Sequence, residues 1–423
     1  MLSSFEQALI ERFETLPSTC PYYTTRRRAV ADFKQQGLPG LKDEAYKYTP
    51  IARLLAMHLD VAKAAALPPP AAVLRVHDYP IDAHHVVLLN GRLSRAHTRL
   101  AGSEHQVQVM TFQEARQDPT FLAHFAQYAQ HEAAPFAALN TALFEEGLYI
   151  RIAAHAVLDK PLIVHHYTAE NTPQAITYPR LLLVAGQHSQ AKVITAWQTT
   201  GFTNAVAEVV VETAAQLDYY TLQTQLGQKA CQVLTTQAHQ APQSVFSAYT
   251  FTWSGALVRN NLSCLLDATH SETNMYGLYC LRGQQHVDNF TTVDHSKPHT
   301  YSNELYKGIV MDASTGVFNG RIYVRPDAQK TNAFQTNNNL VLSDEAKLYT
   351  KPQLEIWADD VKCSHGATSG QLDAAQLFYL RARGLQEATA RALLRRAFAS
   401  EVIDKVAIGP LREYLHDQCL AIV

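Results

Sequence analysis

From residue 148 to about residue 362 the chain is one short β-rich run after another, with no helical segment between them. The runs include 148–152, 161–167, 181–184, 192–197, 208–211, 217–223, 247–253 and 321–324, separated by Gly, Asn, Asp and Ser. They are rich in β-branched and aromatic residues, which suit a pleated surface. In Leu217-Asp218-Tyr219-Tyr220-Thr221-Leu222-Gln223 the two faces differ in polarity. Without intervening helices a parallel βαβ architecture is excluded. So long a stretch is too much for one small sandwich, which leaves a large sandwich, a propeller or a β-helix. No repeat period stands out, so pattern alone leaves that choice open.

Both flanks read as helical. Phe5, Ala8, Leu9 and Phe13 recur at helical spacing until Pro17, and a second helix over 24–36 is closed by Gly37 and Pro39. Leu67-Pro68-Pro69-Pro70 marks a linker. Val86 to Leu89 reads as a strand entering an Asn90-Gly91 turn, and a helical pattern returns over 111–143 with Phe121, Phe125 and Phe136 as core residues. Beyond Gly370, Asp373 is suited to cap a helix that Gly384 closes; a second helix covers 385–400, and a third covers 402–416 with a break at Gly409-Pro410. The predicted organisation is therefore a mostly helical unit over 1–146, a β-core over 147–370 and a helical unit over 371–423. The last unit is suited both to cap the core and to dock a partner.

Charge narrows the function. A formal net charge of −2 gives no field that would draw the chain to nucleic acid or an anionic membrane, and Arg26-Arg27-Arg28 reads as a solvated helix face. No window reaches the roughly 18 apolar residues of a membrane span, and Glu6, Glu11 and Arg12 interrupt any signal-like segment, so a cytoplasmic chain is expected. The cysteines at 20, 231, 264, 280, 363 and 419 are scattered, which points to reduced thiols rather than disulfides or a self-contained metal ribbon. Cys264 and Cys280 read as buried strand cysteines. P-loop, Rossmann, H-E-x-x-H and G-x-S-x-G motifs are all absent, so no catalytic residue and no enzymatic activity of its own is expected. The adjacent pairs His84-His85 and His165-His166 would point to opposite faces of a strand and read as structural or surface residues.

One constellation remains, in Asp359-Asp360-Val361-Lys362-Cys363-Ser364-His365-Gly366. If this segment is extended, Cys363 and His365 share a face two residues apart. Thiolate and imidazole are the ligands of soft and borderline metals, and a neighbouring imidazolium would lower the thiol pKa. Two ligands do not close a metal site; the remainder must come from another chain. The bland alternative is a buried Cys beside a hydrogen-bonded His.

The segment 295–370 resembles the shared core of the SufB/SufD family of iron–sulfur cluster scaffold proteins. The resemblance is carried by His295-Ser296-Lys297-Pro298, Ser302-Asn303-Glu304-Leu305-Tyr306-Lys307-Gly308, Val317-Phe318-Asn319-Gly320-Arg321-Ile322-Tyr323-Val324, Ala328-Gln329-Lys330-Thr331, Leu354-Glu355-Ile356 and the 359–368 stretch. Within the family the 38–50 segment, Leu38-Pro39-Gly40-Leu41-Lys42-Asp43-Glu44-Ala45-Tyr46-Lys47-Tyr48-Thr49-Pro50, is similar to the SufD branch. Asn337-Asn338-Asn339 stands where SufB-type chains carry a reactive cysteine, and Ser364-His365-Gly366 stands where they carry Glu-His-Glu.

The resemblance implies a right-handed β-helix core with helical domains at both ends. It implies a heterodimer with a SufB-type subunit through the C-terminal part of the core, a SufC-type ATPase bound by the C-terminal helices, and self-pairing when the partner is absent. It also implies His365 and Cys363 as ligands to a transient iron–sulfur cluster shared with SufB, with no permanently bound cofactor. Two rivals are a purely structural partner of SufB and a β-helix enzyme acting on polysaccharide through Asp359 and Asp360. The second meets poor geometry, since adjacent strand residues face opposite ways.

Overall fold

The computed structural model describes residues 4–15, 17–19, 22–40, 42–58, 79–100, 102–103, 105–129, 134–168 and 175–422. The expected linker at 67–70 lies outside them, as does Cys20.

The β-rich stretch is a solenoid of two ten-stranded sheets that the chain visits in alternation. The first sheet runs β2 (Arg92–Leu93), β1 (His84–Leu89), β5 (Leu162–Tyr167), β8 (Gln190–Gln198), β10 (Gln216–Gln223), β12 (Val245–Thr252), β14 (Glu272–Leu281), β16 (Tyr301–Val310), β18 (Asn332–Val341), β20 (Lys362–Gly370). The second runs β3 (Val107–Thr111), β4 (Gly147–Ile152), β7 (Arg180–Ala185), β9 (Phe202–Val211), β11 (Cys231–Gln240), β13 (Leu257–Leu266), β15 (His286–His295), β17 (Thr315–Val324), β19 (Lys347–Ile356), with β6 (Ile176–Thr177) beside β9. All pairings are parallel except β1 with β2 and β3 with β4. This is a β-helix, the option that the pattern alone left open. The expected strand and Asn-Gly turn are β1 and its hairpin to β2, and β1 joins the first sheet beside β5, so the sheet begins ahead of Gly147.

Each coil turns at a left-handed residue: His155, His188, Ala214, Gln243, His270, His299 and Lys330 all have φ between 56° and 63°. A non-glycine residue in that region costs about 1–2 kcal/mol. Stacking offsets the cost. The N–H of His188 bonds Thr213 O of the next coil at 2.9 Å, that of His299 bonds Gln329 O at 2.9 Å, and that of Lys330 bonds Asp360 O at 2.7 Å. The rings of His155 and His188 stack at 5.0 Å, as do those of His270 and His299 at 5.1 Å. A small buried residue follows each corner: Ala156, Ser189, Ala215, Ser244, Ser271, Thr300 and Thr331.

Inside the coils Val86, Leu148, Val164, Leu183, Val193, Val209, Phe246, Val293 and Ile322 form one apolar core. The outer faces are covered too, which is why β9 is buried at every position, Thr203, Asn204 and Glu208 included. Over the second sheet lie α1 (Ser4–Glu14), α2 (Tyr23–Gln36) and α5 (Pro135–Leu143), packing Phe13, Phe33, Phe136 and Leu139 onto Leu182, Phe202 and Val210. Over the first sheet lie α7 (Glu387–Ile403) and α8 (Gly409–Ile422), whose Val402, Ile403, Leu411 and Leu415 meet Tyr220, Phe251, Leu278 and Ile309. Full burial of each such side chain stabilises by about 1.5–3 kcal/mol. Lys307 adds an ion pair to Glu401 and lies over the Phe398 ring at 4.2 Å.

Several expectations need correction. The helical pattern over 111–143 is not one helix: Thr111 ends β3, and among the described residues of this range only α4 (Pro119–His124) and α5 are α-helical. Pro119 and Pro135 each begin a helix, because a proline there loses no hydrogen bond while disfavouring helix in the residue before it. For the same reason Pro410 starts α8 instead of interrupting a helix, and Val402 belongs to α7. Arg26 is not solvated; it is buried, donates to Ala142 O at 3.2 Å and lies 3.9 Å over the Phe144 ring. As expected, Asp373 caps α6 (Ala374–Ala382) by accepting from Ala375 N and Gln376 N, and Gly384 follows with φ 93°.

Candidate functional site: the open end of the solenoid

The two ends of the solenoid are built differently. The last strands, β19 and β20, are ten and nine residues long and each has a neighbour on one side only. A free strand edge of that length is a template for pairing with another chain.

Cys363 and His365 both lie on β20. Their register partners on β18 are Ala333 and Gln335, both buried inward-facing positions. Cys363 and His365 therefore share the face that continues the lumen, as the two-residue spacing predicts. Cys363 is half-buried and packs at the end of the apolar core with Leu354 and Val361; His365 is exposed. The expected lowering of the thiol pKa is overturned: burial pushes the Cys363 thiol up, and a hydrogen bond with the Ala333 backbone only partly opposes it. At neutral pH Cys363 is thus a thiol, and a metal ion binding there must displace its proton.

Behind this pair lies a polar lumen that sequence reading missed. Gln335 donates from Nε2 to Glu304 Oε2 at 2.6 Å, and Met275, Glu304, Gln335 and His365 are consecutive register partners across β14, β16, β18 and β20. Burial raises the Glu304 carboxyl to about 7, with hydrogen bonds from Thr291 and Gln335 pulling the other way. Across the lumen Gly320 makes room for Gln335, since a Cβ there would stand 2.2 Å from Gln335 Nε2. Asn337 and Asn339 are also inward. Asn339 donates to Asn337 Oδ1 at 2.7 Å and accepts from the Tyr279 hydroxyl at 2.6 Å, and Thr350 of β19 donates to Asn337 Oδ1 at 2.7 Å. Two amides thus bridge the sheets at this position, where they offer no thiol chemistry. The available signal was Gln335, Asn337 and Asn339 at alternate positions of one strand, β18.

The other singled-out residues lie elsewhere. Asp359 is exposed, and Asp360 pairs with Lys330. His165 and His166 are buried near the opposite end. His165 meets His85 at 3.0 Å and His166 stacks on Trp197 at 3.7 Å. They are structural as expected, but not on the surface. Cys264 and Cys280 are buried in strands, as expected. His295 is buried between Thr300 at 2.7 Å and Ser302 at 2.9 Å, so this histidine of the resembling segment fixes a corner. Among the described residues no three His, Cys, Asp or Glu side chains gather into a metal-holding group, at Cys363 and His365 or elsewhere.

The 38–50 segment is strapped to the outer face of the second sheet. Arg259 bonds Ala45 O at 2.8 Å, lies over the Tyr46 ring at 4.3 Å and pairs with Asp288, which also accepts from Thr49. Tyr48 stacks on Tyr349 of β19 at 4.2 Å, and Glu44 pairs with Lys351. The strap thus reaches the last coil. At the far C-terminus Phe378, Tyr379 and Leu393 on α6 and α7 are exposed, an apolar surface on helices that otherwise carry charge.

Residues 166–398 match the family model described as SUF system FeS cluster assembly, SufBD core domain, and residues 16–164 match that of the SufBD protein N-terminal region. An iron–sulfur cluster assembly SufBD family protein of Synechocystis sp. is 31% identical over 98% of this chain and 94% of its own length. The iron–sulfur cluster assembly protein SufD of Escherichia coli is 30% identical over 89% of this chain and 87% of its own. SufD of Bacillus subtilis is 26% identical over 66% of this chain and 64% of its own.

Proposed function

The chain belongs to the SufBD family of iron–sulfur cluster assembly proteins, and from that premise we propose that it is a SufD-type scaffold subunit that completes a cluster-forming site only together with a SufB-type chain. The observation that carries this reading is the placement of Cys363 and His365 on one face of a terminal strand with a free edge. The partner's strands extend the sheets past β19 and β20 and bring the missing ligands. The nascent cluster is cargo: it forms between the two chains, and no cofactor resides permanently in this one. His365, exposed, is free to bind iron at once, whereas Cys363 binds after losing its proton.

The exposed apolar surface of α6 and α7 supports the docking of a SufC-type ATPase, which supplies the nucleotide chemistry this chain lacks. The chain itself is non-catalytic on this reading. None of the described helices is long and apolar enough to cross a membrane, in keeping with the proposed cytoplasmic setting. Self-pairing through the same edges is the expected fallback when the partner is absent.

The test is reconstitution of the complex with His365→Ala or Cys363→Ala. Each variant is expected to assemble with its partners and to lose cluster yield. Wild-type yield from His365→Ala in a complex of intact stoichiometry would leave this chain as a purely structural partner. Failure of any SufB-like chain or ATPase to co-purify with the wild type would remove the scaffold reading itself.

A further inference from the structure

The lumen of the early coils keeps a cavity between the two sheets, which leaves about 20 Å³ for the centres of water-sized molecules. Its space comes from β9, where Ala205 and Ala207 line it with side chains too short to reach the first sheet. Leu181, Ala207 and Thr236 are successive register partners on the second sheet, and Thr195 and Thr221 pair on the first. His166 on β5 and Trp197 on β8 also line the cavity; they are register partners whose rings stack at 3.7 Å. His166 is 5% exposed and Trp197 4%, so both are more than nine-tenths buried. Among the described residues, neither ring nitrogen of His166 has a hydrogen-bond partner, nor has Trp197 Nε1.

The chemistry of these groups selects the guest. A neutral imidazole carries one N–H and one lone pair, and an indole only an N–H, so the guest must both accept and donate hydrogen bonds. No charged side chain is among the described residues that line the cavity, so an ion would give up its hydration with nothing to replace it. An apolar guest would leave all three ring nitrogens unpaired, which buried polar groups rarely are. The volume admits only the smallest molecules. We propose that the cavity is a binding site for ordered water, about one or two molecules, held by His166, Trp197 and the hydroxyls of Thr221 and Thr236. The water bridges the first sheet to the second across Ala205 and Ala207, where the side chains are too small to meet. It also fixes which nitrogen of His166 carries the proton, because each ring nitrogen takes the role that its partner leaves to it.

The test is crystallographic, on the full-length protein with and without xenon under pressure. Wild-type crystals should show ordered density within hydrogen-bonding reach of a His166 ring nitrogen and no xenon, since it is a dry apolar cavity that takes up that gas. His166→Leu removes both ring nitrogens and keeps an apolar side chain, and should lose the density nearest residue 166. In solution, wild-type protein with isotope-labelled histidine should give a His166 ring N–H signal with a cross-peak to water at neutral pH, assigned by its loss in His166→Leu. Xenon in the wild-type cavity, a cavity without density, or a His166 N–H with no water cross-peak would overturn the proposal, whether or not the variant folds. Density unchanged in His166→Leu would overturn it as well, by placing the water on the threonines alone.

Discussion

The two ends of this β-helix are the same kind of structure finished in opposite ways. At the start, the sheets close with short antiparallel strands, β2 and β3, under a layer of helices, and the histidines there are sealed: His165 and His166 are buried among rings. At the finish, β19 and β20 keep full length and a free edge, and His365 stands in solvent. A solenoid buries its edge groups by stacking one coil on the next, so an uncapped end of ten residues is a liability unless another chain covers it. The difference teaches that histidine is packed among rings at one end and left in solvent at the other.

The largest expected effect tests the sealed end. Arg180 and Glu208 form a buried ion pair at 2.7 Å, and Glu208 also accepts from the backbone N–H groups of Ala126, Tyr128 and Ala129. Glu208→Ala strands the guanidinium and three N–H groups, and should cost about 3–5 kcal/mol in urea unfolding. At the open end the exposed Lys330–Asp360 pair is the counterpart, and Asp360→Ala should cost no more than about 0.5 kcal/mol. Equal costs would erase the distinction between the ends.

Next comes acid. Burial lowers His165, His166 and His295 to about 3, with His85 adding to the shift at His165 and His165 at His166. Below about 6.5 the unfolded chain takes up protons that these folded histidines refuse, so stability falls as pH drops from 6.5 towards 3. Each contributes up to about 1.4 kcal/mol per pH unit in that window. His166→Phe, which keeps a ring against Trp197, should regain about 2 kcal/mol at pH 5 relative to its effect at pH 8.

The free edge gives a third, smaller effect. Along β20, N–H groups point alternately to β18 and outward. Of Gly366→Pro and Ala367→Pro, one should lose a bond to β18 and destabilise the fold. The other should keep the melting temperature and weaken partner association by about tenfold, read by titration calorimetry. If neither weakens association, the partner does not use this edge.

The lumen gives an effect of opposite sign to that of the histidines. Glu304 titrates near 7 when folded and lower when unfolded, so the folded state holds a proton that the unfolded state has released, and stability falls as pH rises from about 4.5 to 7. Glu304→Gln can still accept from Gln335, and should regain up to about 3 kcal/mol at pH 8 relative to its effect at pH 4.5, read from the melting midpoints.

What the sequence made legible follows from locality. The strand runs, the Asn90-Gly91 turn, the Asp373 cap and the shared face of Cys363 and His365 depend on neighbours a few residues apart, and the period of two for strands is a covalent property of the backbone. The shared face of Cys363 and His365 on β20 was readable for that reason alone. The coil period was not readable, because it is written in backbone conformation: His, Ala, Gln and Lys all serve as left-handed corners, and only the small residue that follows is constant in kind.

Everything set by distance across the fold was decided by tertiary structure. The fate of Arg26 turned on Phe144, the thiol pKa of Cys363 on its burial against the last apolar layer, and the lumen amides on strands about thirty residues apart that stacking brings into register. Alternation along one strand names which residues share a face; only the stacking of coils decides what that face meets, because burial and electrostatics depend on atoms that the chain's local order does not fix.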